Sequence, residues 1–468
     1  MGCIYYEKNV LEYNDSEHKN LLEIFKDNDI PVDGIVKVHI VSGNSLENGT
    51  VKSVSDKDVS VERFIPIGEI SCNNAIKKDS TDILSLLYNS LKEEEEKTIG
   101  VAVDIGTASV VCYICNLTTK EIITIKSEKN PLAYMGDMTT DELVAHLNSK
   151  DKSEFQTALV ETLYKIIVSG CREYGVYEKD ITTILVSGST LMEHLICAVD
   201  ATSMFDEKHI PQSLFGIEEL AASLGINLKV SLKCYISPCA SYNIGGDIIA
   251  GMTYCNIDKS DKNSLYLDIG TETGIVLKRK DRYYSTAATT PAFDGVGISC
   301  GMIAESGAVH DAVVKDGEMR FSTVYEVVAE GVCGIGMVNI AAEAIKAGKL
   351  TSKGELTDGE IRINENVALT QADFDKLFEQ KKRIHSAILS LLEKAEIEMD
   401  EIDEIILSGG LGVKFNASNV CKIGAIPAIL QDRIRSVLGN ASGLGSVKTL
   451  VGGLTEFDRM IELSEKFV

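Results

Sequence analysis

A four-residue unit, Asp-Ile-Gly-Thr, closes an apolar strand-like run at two places in this chain. The first run, Ile99-Gly100-Val101-Ala102-Val103, ends in Asp104-Ile105-Gly106-Thr107. The second, Ser264-Leu265-Tyr266-Leu267, ends in Asp268-Ile269-Gly270-Thr271. Each copy has the same sequel. Phe155, Leu159, Leu163 and Ile167 fall at helical spacing after the first, and a strand Ile184-Leu185-Val186 follows, ending in Ser187-Gly188-Ser189. After the second come Ile384, Ile388, Leu391 and Leu392, then a strand Ile405-Ile406-Leu407 ending in Ser408-Gly409-Gly410-Leu411-Gly412. Strand, Asp-Ile-Gly-Thr, long helix, strand, Ser-Gly therefore occurs twice, which predicts an internal duplication of two related α/β lobes.

Such a turn suits a phosphate. Gly106 and Gly270 let the backbone approach a ligand closely, and the turn N–H groups together with the hydroxyls of Thr107 and Thr271 can donate to phosphate oxygens. Asp104 and Asp268, at the strand ends, can hold Mg²⁺ through water or orient a water toward a γ-phosphate. Two such turns facing one another would grip phosphates from both lobes. The glycines Gly409, Gly410 and Gly412 can lie flat against a ribose and adenine, and Gly334 is a further candidate nucleotide contact. There is no G-x-x-x-x-G-K-[ST] run, so this is not a P-loop chain. Gly334-Ile335-Gly336 lacks the preceding strand and third glycine of a dinucleotide fingerprint.

The bulk numbers bound the class. The 468 residues predict two or three domains, and 44% hydrophobic with 25% charged residues is ordinary for a globular protein. Lys and Arg number 46 against 70 Asp and Glu, a formal charge of −24, which repels nucleic acid and anionic membrane surfaces. No apolar run reaches the roughly 20 residues of a membrane span, and Met1 to Asn20 lacks a signal-peptide core, so a cytoplasmic protein is expected. The acidic run Glu93-Glu94-Glu95-Glu96 marks a boundary. The expected division is an N-terminal segment 1–30, a small α+β domain 31–96 with a helix near Asp82 to Leu91, lobe I at 97–262 and lobe II at 263–468.

Over roughly residues 98–468 these features resemble the actin, sugar-kinase and Hsp70 superfamily. The resemblance implies a duplicated ribonuclease H-like two-lobe ATPase with ATP and Mg²⁺ in the cleft. It also makes Asp247, in Gly245-Gly246-Asp247 at a helix start, a candidate catalytic base or water-orienter; a plain helix N-terminal Asp is the equal alternative.

Further blocks are similar to the reductive activators of corrinoid proteins. They are Gly188-Ser189-Thr190-Leu191-Met192-Glu193-His194-Leu195, Ser285-Thr286-Ala287-Ala288, Pro291-Ala292-Phe293-Asp294-Gly295, Ile298-Ser299-Cys300-Gly301-Met302, Ala368-Leu369-Thr370-Gln371-Ala372-Asp373 and Gly439-Asn440-Ala441-Ser442-Gly443-Leu444-Gly445. That resemblance implies ATP-driven reduction of a Co(II) corrinoid protein to Co(I) in a methyltransferase system of one-carbon metabolism. Many such activators begin with a plant-type [2Fe–2S] domain. Here the first 95 residues hold only Cys3 and Cys72, too few for four ligands. An iron–sulfur cluster is therefore not expected in that region, and a separate iron–sulfur protein is the expected electron source. Residues 31–96 are a candidate for the family's dimer-forming middle domain, which makes a homodimer an expectation.

The 12 cysteines are scattered, many within apolar runs such as Val111-Cys112-Tyr113-Ile114-Cys115, as buried reduced thiols would be. Cys234 and Cys239, around Pro238, could instead hold a cluster between two subunits, as in another activator class on this fold, and Cys300 and Cys333 fall near the proposed cleft. The seven histidines show no zinc spacing, and a satisfied surface position is expected for His194. Two other functions stay open on the same fold: a small-molecule kinase, which Asp247 favours, and a nucleotide switch without redox chemistry.

Overall fold

The run Ile99–Ile105 is buried along its whole length, with no polar face to turn to water, so it must be a central strand. In the computed structural model it is strand β7. The structure describes residues 98–468 except 229–230, 316 and 410–415. Before residue 98 it describes the backbone of six strands: β1 (Gly2–Tyr6), β2 (Asn9–Tyr13), β3 (Val36–Ser42), β4 (Ser45–Val54), β5 (Asp58–Ile65) and β6 (Gly68–Lys77). The helix expected near Asp82 to Leu91 lies outside the described residues.

The chain forms two compact units. The first takes residues 1–100, 114–126 and 164–182; the second takes 101–113, 127–163 and 183–468. In the first, the six N-terminal strands make an antiparallel sheet in the order β2-β1-β3-β4-β5-β6. Strand β9 (Glu121–Lys129) lies largely in this unit.

The second unit contains the duplication. Its first sheet runs β11-β12-β10-β7-β8, from β8 (Ser109–Asn116), β10 (Ile181–Gly188), β11 (Phe215–Leu220) and β12 (Lys233–Pro238). Its second runs β15-β14-β13-β21-β22, from β13 (Ser264–Ile269), β14 (Glu272–Arg279), β15 (Arg282–Thr289), β21 (Glu404–Gly409) and β22 (Ile434–Val437). The order β12-β10-β7-β8 thus recurs as β22-β21-β13-β14. In each half the Asp-Ile-Gly-Thr strand sits beside the strand that ends in Ser-Gly, and the same close approach is repeated. A methyl group on Gly188 would lie 2.9 Å from the Ile105 carbonyl oxygen, and one on Gly409 2.0 Å from that of Ile269.

The helices follow the apolar spacing. They are α1 (Thr140–Ser149), α2 (Lys152–Glu173), α3 (Thr190–Ile196), α4 (Gly246–Cys255), α5 (Gly334–Lys346), α6 (Gln371–Lys394), α7 (Ala417–Lys422), α8 (Ala441–Gly452) and α9 (Leu454–Ser464). Phe155, Leu159, Leu163 and Ile167 are buried on α2, and Ile384, Ile388, Leu391 and Leu392 on α6. The helices after the equivalent strands β12 and β22, α4 and α8, touch through small residues. A methyl on Gly445 would fall 1.9 Å from the Ala250 carbonyl oxygen, so these two backbones meet directly.

The second repeat carries additional strands: the hairpin β16 (Ala308–Lys315) and β17 (Glu318–Thr323), then β18 (Gly331–Val332), parallel to β16. β18 leads into α5, so a two-residue strand does precede Gly334, contrary to the sequence reading; it is too short to leave an apolar pattern. The hairpin β19 (Glu360–Arg362) and β20 (Ala368–Thr370) then leads into α6, whose first turn is fixed by a capping box of Thr370 and Asp373. No helix among the described residues is long and apolar enough to cross a membrane.

Candidate functional site

The two turns close on the same place. The γ-methyls of Thr107 and Thr271 lie 3.4 and 3.8 Å from the position a Cβ of Gly136 would take, so both threonines border the short 3₁₀ segment Ala133–Asp137. Gly106 N–H closes its own turn on the Ser109 carbonyl (2.9 Å), and the Gly106 carbonyl accepts from Asn130 Nδ2 (2.7 Å).

Asp104 is the sixth residue of β7 and 8% exposed. One carboxylate oxygen accepts from Asn440 Nδ2 (2.6 Å) and the other from Ser442 Oγ (2.8 Å). Burial raises its pKa, and these two hydrogen bonds oppose the rise. Asn440 also caps α8, its Oδ1 accepting from Gly443 N–H (2.7 Å), so a helix start in the second repeat is fastened to the aspartate of the first.

Asp268, on β13 opposite Ser408 of β21, is half-buried. Desolvation, then the charge of Asp104, pushes its pKa up to about 7. Asp247 is the second residue of α4, and its carboxylate accepts from Ile248 N–H (2.7 Å). Burial, then Asp268, then Asp104 raise it well above the usual carboxylate range. Asp104 thus raises both Asp268 and Asp247, and Asp268 raises Asp247, so three like charges repel one another. A divalent cation would relieve that repulsion, so the donor set fits Mg²⁺. Among the described residues no three His, Cys, Asp or Glu converge as direct ligands, and both oxygens of Asp104 already accept hydrogen bonds. The fit is to a hydrated ion held through water.

The second turn carries one more acid, which sequence reasoning missed. Asp294, in the 3₁₀ segment Pro291–Asp294, takes the Thr271 N–H and, at 2.7 Å, the Thr271 hydroxyl on its Oδ2. Burial raises its pKa against these hydrogen bonds, and its charge adds to the field on Asp268. Thr290 braces the same turn, its N–H on the Thr271 carbonyl (2.7 Å) and its hydroxyl on the Gly270 carbonyl (2.7 Å).

Of the remaining sequence candidates, Gly409 has φ +116°, a backbone state that suits glycine, and lies against Ile269. Gly410 and Gly412 lie outside the described residues. Gly334 is buried at the start of α5, where a methyl would fall 1.7 Å from the Phe293 carbonyl oxygen; it packs on the segment that ends in Asp294.

The start of α4 is set by a buried acid. Glu193 of α3 is fully buried, accepting Gly188 N–H (3.1 Å) and the Cys239 thiol (3.1 Å). Burial holds its carboxyl well above the usual range, and the same carboxyl closes the space a side chain on Gly246 would need. Cys234 and Cys239 are both buried, and burial raises both thiols. Cys300 and Cys333 donate to the Ala368 and Val309 carbonyls. Cys112 and Cys115 are buried on β8. His194 is not a surface residue: it is fully buried, Nδ1 on the Thr190 carbonyl (2.7 Å) and Nε2 accepting from Ser213 N–H (3.3 Å).

Duplicated sheets with paired aspartate turns between them define an ATPase of the actin, sugar-kinase and Hsp70 class. The family profile described as the C-terminal domain of RACo, the ASKHA domain, matches residues 262–467, and that of the RACo middle region matches residues 99–260. The chain belongs to the RACo family, the reductive activators of corrinoid proteins. The middle-region match thus falls on residues 99–260 and not on residues 31–96, where the sequence reading looked for it; those lie outside both matches. The corrinoid activation enzyme RamQ of Eubacterium limosum is 24% identical over 503 residues, covering 95% of this chain and 82% of that protein. A Co(II) methylated amine-specific corrinoid protein reductase of Methanosarcina barkeri is 23% identical over 407 residues, covering 78% of this chain and 72% of that one. A solved reductive activator for a corrinoid, iron–sulfur protein superposes with a TM-score of 0.74 at 24% identity, over 98% of this chain and 70% of that chain, a likeness of fold.

Proposed function

We propose that this chain is an ATP-dependent reductive activator that returns a corrinoid protein from Co(II) to Co(I) in a methyltransferase system. The observation that carries this reading is family membership across residues 99–467, together with two relatives named for corrinoid activation and Co(II) corrinoid protein reduction. In this reading residues 97–262 and 263–468 are the two nucleotide-binding lobes. Gly106, Thr107, Gly270 and Thr271 offer donors to phosphate oxygens, with Gly409, Gly410, Gly412 and Gly334 around the rest of the nucleotide. Asp104 and Asp268 would hold Mg²⁺ through its water shell.

Bound ATP with Mg²⁺ supplies the free energy for an uphill one-electron reduction. Asp247, within the field of Asp268 and Asp104, orients the attacking water. Asn440 and Ser442 keep Asp104 aimed from the other repeat, so the two lobes are tied together at the phosphates. A ligand that binds one arrangement of the lobes better than another shifts the balance between them. The electron comes from a separate low-potential iron–sulfur protein, and the chain works in the cytoplasm, as a homodimer.

The test is cobalt-state spectroscopy. The Co(II) form of a methyltransferase corrinoid protein is incubated with this chain, a low-potential iron–sulfur donor and ATP. The Co(I) absorption band should grow only when ATP is present. Growth independent of ATP, or no growth in either case, would contradict the reading. Asp247 also favours a second reading, a small-molecule kinase. In that case ADP would accumulate in proportion to a phosphorylated small molecule, with no change at cobalt.

A further inference from the structure

The two Asp-Ile-Gly-Thr turns are identical in sequence but not in their partners. The first is closed by its own backbone, Gly106 N–H on the Ser109 carbonyl, and among the described residues no carboxylate hydrogen-bonds to Thr107. The second has its two outward donors, the N–H and hydroxyl of Thr271, both taken by one oxygen of Asp294. The turn does not need that carboxylate for its shape. Among the described residues the first copy forms without one, and Thr290 braces the second through the Gly270 and Thr271 carbonyls. Asp294 Oδ2 also lies 3.3 Å from where a Cβ of Gly270 would be, over the part of the turn left open by glycine.

A carboxylate oxygen on an N–H and a hydroxyl is what a phosphate oxygen would be in the same place: an anionic acceptor on two convergent donors. Two anions cannot share those donors, because at hydrogen-bonding distance they repel strongly in a half-buried site. We propose that Asp294 is a built-in competitor for the nucleotide, its carboxylate occupying the phosphate donors of the second turn until a phosphate displaces it. The inference rests on the nucleotide reading above and sets the affinity of that site.

The geometry also says what moves with it. Asp294 ends the segment Pro291–Asp294, and Gly295 behind it has φ +82°, which returns the chain toward the Ile298–Met302 stretch. The start of α5 rests on the same segment, Gly334 against Phe293 and Asp294. Met302 N–H donates to the Val332 carbonyl (3.0 Å), and Ser299 is held by Asp373 at the start of α6. Displacement of Asp294 therefore loads one connected stretch, Pro291 to Met302, that rests on the starts of α5 and α6.

The experiment is equilibrium titration of the full-length chain with MgATP, on wild type, Asp294→Asn and Asp294→Ala, with apo thermal melts as a folding control. Asp294→Asn keeps the shape and an acceptor but removes the charge. The competitor account expects both variants to bind more tightly, Asp294→Ala by about tenfold or more and Asp294→Asn by a smaller factor. A residue that merely braced the turn would give the opposite sign, weaker binding in both. Wild-type binding with no tightening in either folded variant overturns the competitor role and leaves the nucleotide reading standing. No binding by wild type or variants overturns both.

Discussion

Asn440 Nδ2 lies 2.6 Å from Asp104 Oδ2, across 336 residues of sequence, so the aspartate that ends the first turn is held by a helix that belongs to the second repeat. This contact, with Ser442 on the other oxygen, makes the carboxylate of one half answer to the position of the other. Both bonds favour the ionised form.

Removing either partner should therefore raise the pKa of Asp104 further. Ser442→Ala and Asn440→Ala are expected to weaken MgATP binding about threefold to tenfold near neutral pH, in the range of a lost charged hydrogen bond. The acid limb of the binding profile should move to higher pH. Titrations across pH check this, and an unmoved acid limb would separate Asp104 from the binding event.

Asp268 yields a stability effect whose sign is fixed. Its folded pKa of about 7 lies above its value in an unfolded chain, so the native state binds the extra proton between about pH 4 and 7. Stability contributed by the protonated form is full below the unfolded pKa and is lost as pH rises through 7. Asp268→Asn should therefore melt higher than wild type at pH 8, by several degrees, with the gap closing toward pH 4. Thermal melts at the two pH values measure it.

Asp373 has the opposite sign. Burial alone would raise its pKa, but hydrogen bonds from Ser299 and Thr370 more than offset that and leave it lowered. It holds the α6 cap and the Ser299 stretch together, with Ser299 N–H at 2.7 Å and the Thr370 hydroxyl at 2.8 Å. Asp373→Ala should cost about 2–3 kcal/mol at pH 7. The difference from wild type should shrink as pH falls below the ordinary Asp range, because the stabilising charge is then lost in wild type too. Urea unfolding at pH 7 and pH 3 tests both parts.

Among the described residues Asp247 accepts a hydrogen bond from its own neighbour's N–H alone, and it sits in the field of three other acids, Asp268, Asp104 and Glu272. Asp247→Asn should reduce ATP hydrolysis about a hundredfold and leave ATP affinity equal or better, since a repelling charge is gone. Phosphate release and nucleotide titration on the same preparation separate the two effects. Unchanged hydrolysis would leave Asp247 as a helix-start residue only.

The parts of the fold that sequence reasoning reached are those with a local pattern. The apolar runs before Asp104 and Asp268, the helical spacing of Phe155 to Ile167 and of Ile384 to Leu392, and the Ser-Gly strand ends each carry their reason within a few residues. Side chains that act across the chain left no such trace. Asp294 meets Thr271 from 23 residues away. Asn440 reads locally as a helix cap, and its second bond to Asp104 depends on how α8 meets β7. His194 looked like a surface residue because a seven-residue helix is too short to display a buried face; in fact nearly the whole of α3 is enclosed. β18, two residues long, had no period to detect.

The central claim, one nucleotide held by both turns through hydrated Mg²⁺ on Asp104 and Asp268, is tested most directly by the Mg²⁺ dependence of ATP affinity. Wild type should bind ATP at least about tenfold more tightly with Mg²⁺ than with EDTA, and Asp104→Asn and Asp268→Asn should each lose most of that difference. A variant at either position that folds and keeps the full Mg²⁺ effect would contradict the shared site.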